Sequence, residues 1–145
     1  MYDNLVSFIF SFSFVTVLIA YIIKLPYLLT GDKNIVNEYY GKNFSKSFIL
    51  DFFLFGIYTI IAMSVIKLLD ITNYYYKVLT VSLVTAIISG AFYIYFITKP
   101  KTPDFFSRWF HSANFKAVLY DMVLITTNYI VYTNLLHSAT IKKII

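Results

Sequence analysis

Residues 48–69, FILDFFLFGIYTIIAMSVIKLL, form an apolar run of 22 residues broken only by Asp51 near one end and Lys67 near the other. As a helix this run is long enough to cross a hydrocarbon layer of ~30 Å, which takes about twenty apolar residues. Three further stretches read the same way, so the expected spans are 5–23, 48–69, 78–97 and 117–136. The 145-residue chain is 59% hydrophobic, 21% aromatic and only 13% charged. In water that composition would leave more apolar surface than a folded chain tolerates, whereas a bilayer solvates it. The expected fold is therefore all-α: a single integral membrane four-helix bundle with two short interfacial amphipathic helices, at 33–40 and 103–112.

Charge sits between the spans. One link carries Lys24, Lys33, Lys42 and Lys46, another carries Lys99, Lys101, Arg108 and Lys116, and the opposite side has Lys67, Lys77, Lys142 and Lys143. The positive-inside rule puts the two longer links in the cytoplasm and the termini on the non-cytoplasmic side. The net charge of +5 suits anionic head groups better than nucleic acid, because no basic stripe outside the spans is interleaved with stacking aromatics. The first run starts at Leu5 without a basic leader and ends at Lys24-Leu25-Pro26 without small residues for cleavage, so it reads as a retained span.

Each link holds a candidate surface helix. Thr102 is the expected N-cap of the second, with Pro103 at its first position and Asp104 in the first turn. Phe105, Phe106, Trp109 and Phe110 then share one face and Arg108 lies on the other, an arrangement suited to the head-group boundary or to a partner. In the first link Asp32 caps a helix carrying Tyr39 and Tyr40, with Gly41 ending it. Tyr21-x-Ile23-x-x-Pro26 is matched by Tyr95-x-Ile97-x-x-Pro100. The chain thus reads either as two parallel hairpin units or as two hairpins shaped alike by the membrane.

Asp51 and Asp121 each fall about one turn inside a span, where ionisable groups are costly and face protein or water. One reading makes them an ion or proton site continued by Tyr120 and Thr126-Thr127-Asn128; the more economical one pairs them with Lys24, Lys99, Arg108, Lys116 or head-group water. Asn128, near mid-span, is expected to bond across helices, and Ser82, Ala86 and Gly90 form a small-residue series for close helix packing. Lys67 and Asp70 read as an interfacial pair.

No cysteine is present. His111 and His137 lack a second ligand at metal spacing, and no cofactor is expected. Hydrolase, metalloprotease, phosphate-loop and potassium-filter motifs do not occur, so a non-enzymatic protein is expected.

The segment Asp104-Phe105-Phe106-Ser107-Arg108-Trp109-Phe110-His111, followed by Ala117-Val118-Leu119-Tyr120-Asp121, resembles small multi-spanning membrane proteins of large DNA viruses that infect algae and protists. The Phe-, Tyr-, Ile-, Asn- and Lys-rich composition agrees with an AT-rich source. The resemblance, strongest over about 90–132, implies a viral or host intracellular membrane and no catalytic role. The resulting expectation is a structural, membrane-organising or docking protein. Its partners would be the lipid bilayer, a second copy, or a capsid or other membrane-associated protein, with no nucleic acid. The alternative is a small oligomeric ion channel or proton-coupled transporter using Asp51, Asp121 and Asn128.

Overall fold

In the computed structural model, which describes residues 2–142, every regular element is helical. Helix α1 (Tyr2–Thr16) runs on into a wider π-helical stretch, Val17–Ile22. The chain turns at Lys24, whose φ of 57° is left-handed, and enters α2 (Leu25–Thr30), where Pro26 occupies the first turn without loss because its missing N–H would have no partner there. Gly31, at φ 67°, ends α2. The Asp32 carboxylate accepts from the N–H groups of Asn34 and Ile35 and so caps α3 (Lys33–Asn37), which continues through a second π-helical stretch, Glu38–Lys42. Gly41 therefore lies inside that stretch and does not end it. Then follow α4 (Phe44–Leu68), α5 (Tyr74–Ile97), α6 (Phe105–Ala113) and α7 (Lys116–Lys142).

Three of these segments are long and apolar enough to cross a membrane: Asn4–Ile22, Phe44–Leu68 and Tyr74–Ile97, with mean hydropathies of 2.3, 2.2 and 1.9. The fourth expected span, 117–136, falls in α7, which is not among these three. Helix α7 has the length, 27 residues, but Asp121, Thr126, Thr127, Asn128, Thr133 and Asn134 dilute its apolar content. It packs most extensively against α5 and α1 and buries Ala117, Tyr120, Leu124, Asn128 and Tyr132 along one stripe.

The other long helices bury narrow stripes and expose apolar surface elsewhere. On α1 and its π-helical continuation the buried positions are Ser11, Phe12, Val15, Thr16, Ile19 and Ala20; on α4 they include Asp51, Phe55, Tyr58, Ala62 and Ile66. Large side chains such as Phe53, Ile60 and Ile87 stay more than 60% exposed. That pattern suits helices solvated by hydrocarbon on their outer faces.

The small-residue series on α5 does not mark a close helix approach throughout. Ser82 and Ala86 are half-buried, and a methyl group added at Gly90 would meet nothing within 4 Å. The buried stripe of α5 is instead Val81, Thr85 and Ser89, one residue out of register with that series. Near the other end of the bundle, Lys67 and Asp70 do not pair among the described residues; Asp70 adopts φ 50° as the chain leaves α4.

Asn128 is fully buried, and neither atom of its amide has a hydrogen-bond partner. The expected inter-helix bond is thus absent among the described residues. Replacing Asn128 with Leu, similar in shape, should leave stability unchanged or raise it by up to about 1 kcal/mol. Denaturation in mixed micelles reads this directly, and a loss above that size would reveal a partner for the amide.

Candidate functional site

The two links meet at one end of the bundle. The chain's single glutamate and single arginine form a forked ion pair: Arg108 Nη1 donates to Glu38 Oε2 at 2.7 Å and Nη2 to Oε1 at 2.5 Å. Arg108 Nε also donates to the Pro103 carbonyl at 2.9 Å, which fixes the guanidinium plane. Ser112 donates to Asp32 at 3.2 Å, a second tie between the links. The Arg108 hydrogen bonds hold the Glu38 carboxyl below its ordinary range. A depressed carboxylate favours the folded state above its unfolded value of about 4.3, and that contribution fades as pH falls through the folded value. Reversing either charge alone should raise protease sensitivity of the links, and the combined Glu38→Arg, Arg108→Glu exchange should restore protection. Limited proteolysis compares the three, and equal sensitivity in all of them would deny the pair a role in holding the links.

Helix α6 does not start where its capping signal suggests. Ser107 Oγ accepts from the Thr102 N–H at 3.0 Å, so the link folds back on the helix, and Asp104 takes the cap position without a side-chain bond. Trp109, Phe110 and Tyr40 are 7%, 6% and 6% exposed, and Tyr39, Phe105 and Phe106 are half-buried. The Tyr39 ring stacks on Phe105 with centroids 4.6 Å apart, and Phe110 stacks on Phe96 of α5 at 5.3 Å. These rings were expected to meet head groups or a partner; they turn inward because Tyr93 and Phe96 of α5 and Tyr120 of α7 offer rings for them to cover.

Beneath them lies a cavity of about 260 Å³. Asp51 enters it from α4 and Asp121 from α7. Asp51 is 9% exposed, and its Oδ1 accepts from the Tyr39 hydroxyl at 2.5 Å. Asp121 Oδ2 accepts from Ser89 of α5 at 2.5 Å. Neither carboxylate pairs with a lysine or arginine among the described residues, because Arg108 is engaged by Glu38 on the far side of α6. The hydroxyls of Tyr40 and Tyr120 meet at 2.6 Å in the cavity wall. Burial, with the nearby Asp51 charge, pushes the Tyr39 and Tyr40 phenols above their ordinary range. Both stay protonated, and Tyr39 serves as a donor to Asp51.

Of the residues singled out in the sequence, the cavity wall gathers Asp51, Asp121, Tyr39, Tyr40, Phe105, Phe106, Trp109 and Phe110. Asn128, Ser82, Ala86 and Gly90 lie away from it. Arg108 is a strut between the links and does not line it. Sequence reading missed Glu38, Ser89 and Tyr58. A lone glutamate and a lone arginine in a lysine-rich chain were a usable signal for the first. Nothing local marks Ser89 or Tyr58. Comparison with models of protein families, with curated proteins and with solved structures gives no match.

Proposed function

We propose that the chain is a four-span integral membrane protein, α7 being the fourth span, and that Asp51 and Asp121 bind a proton or small cation in a proton-coupled transporter or channel. One observation carries the reading: two carboxylates from different helices line one cavity without a basic partner among the described residues. Structural carboxylates at such depth are ordinarily paired with a base, and unpaired ones mark ion or proton pathways. Each has a single hydrogen-bonded oxygen, leaving the other free to face a ligand. The link end, with eight of the twelve basic residues, faces the cytoplasm in this reading, and the resemblance noted above supports a viral or host intracellular membrane.

In liposomes carrying the purified protein, an imposed pH gradient should drive flux that Asp121→Asn lowers at least about tenfold. Full flux in a folded Asp121→Asn protein would remove the carboxylate from the pathway. Absence of flux in the wild type would leave the second reading, a structural protein that organises the membrane or docks a capsid or other membrane-associated protein. That reading draws on Leu28 and Phe115, 71% and 55% exposed at the link end, in place of the inward-facing rings.

A further inference from the structure

The walls of the cavity specify more than a site for a proton. No lysine, arginine or histidine lines it, two carboxylates do, and most of the remaining surface is ring or aliphatic carbon. Lys99, the basic residue that follows the end of α5, is held elsewhere, with its ammonium 3.8 Å from the Tyr95 ring centroid. A space of about 260 Å³ takes roughly nine heavy atoms at ~30 Å³ each, the share of one water in the liquid. Such a space has room for an organic cation at the carboxylates as well as for a proton on one of them.

The mouth gives the direction of approach. Leu50 on α4 and Phe92 on α5 both line the cavity and are 39% and 47% exposed on the outer faces of these two apolar helices. Approach between them would come from the outer, apolar faces of α4 and α5. The Trp109, Phe105 and Tyr39 rings, mutually stacked or tilted with centroids 4.6–6.3 Å apart, offer π-faces of the kind that attract ammonium groups.

Resting on the carboxylate-site reading above, we infer that the cavity binds an amphipathic organic monocation, its ammonium head between Asp51, Asp121 and the ring wall and its apolar tail leaving between Leu50 and Phe92. A zwitterionic phospholipid head carries the same ammonium. Its phosphate, however, would face two carboxylates with no basic group to receive it, so the site selects a lipophilic amine over a phospholipid.

Trp109 is the chain's single tryptophan and sits in the wall, so its emission reports occupancy. The full-length protein in nanodiscs is titrated with hexyltrimethylammonium, heptan-1-ol and hexylphosphocholine. Expected is a saturable change with the first, and at least about tenfold weaker binding of the other two. Equal affinity for heptan-1-ol would reduce the cavity to an apolar pocket, equal affinity for hexylphosphocholine would make it a lipid head-group site, and no saturable change would mean no site; each overturns the inference. Asp51→Asn and Asp121→Asn should each weaken hexyltrimethylammonium binding about tenfold, and unchanged affinity in both folded variants also overturns it. If they misfold, Leu54→Phe, which fills the cavity and keeps both charges, should abolish the response; an unaltered response overturns the inference. Binding without flux would defeat the transport reading alone, and Asp121-dependent flux without amine binding would defeat the ligand class alone.

Discussion

Phe12→Ala is expected to destabilise the bundle by about 2–4 kcal/mol, the largest effect of a single side chain away from the cavity. Phe12 is fully buried on α1, and its ring lies 4.8, 5.5 and 4.9 Å from the rings of Phe48, Phe52 and Phe55 on α4. The backbones of these two helices hardly approach each other, so ring packing is what joins them. In a bilayer, moving a ring from lipid to protein brings little hydrophobic gain. The loss therefore comes from the ring pairs, at about 0.5–1.5 kcal/mol each, and from the void left behind. Phe10→Ala is the control: Phe10 is 59% exposed and stacks only on Phe14 of its own helix, so its loss should stay within about 0.5 kcal/mol. Unfolding by steric trapping in bicelles separates the two, and a Phe12→Ala cost as small as the control's would show that α1 is held by other contacts.

Tyr40 and Tyr120 should behave as one unit. Their hydroxyls share a 2.6 Å hydrogen bond at a site where the residues are 6% and 2% exposed, tying the first link to α7. Either single change to Phe strands the other hydroxyl and should cost about 1–2 kcal/mol. The double change removes both polar groups and should cost clearly less than the two singles together. A double-mutant cycle measures that coupling. Strict additivity would mean that the bond contributes nothing, and that the link rests on the Tyr21 hydroxyl's 2.7 Å bond to the Tyr40 carbonyl and on ring packing.

Much of the helical layout was legible because helix length and hydrocarbon thickness are matched quantities. A run such as 48–69 has few ways to be soluble, and Asp32 announces a cap by its chemistry alone. The same reasoning does not by itself place α7. Hydropathy records what a residue would cost in lipid, whereas part of α7, Asn128 included, is buried where it packs against α1 and α5. The aromatic face of α6 was legible as a face, but not its direction. An amphipathic helix at an interface can turn its rings toward lipid or toward its own bundle, and only the rings that α5 and α7 present decide between them.

Asp51 and Asp121 illustrate the division. The sequence by itself indicated that the chain is helical, that several of its segments are long and apolar enough to cross a membrane, and that two carboxylates fall within such segments, because these follow from local composition and the 3.6-residue period. Only the tertiary structure decided that the two carboxylates, 70 positions apart, line one cavity, that Glu38 takes Arg108 away from them, and that a wall of inward rings covers them. Such pairings depend on which helix faces meet, and packing between helices settles that where no single segment carries the information.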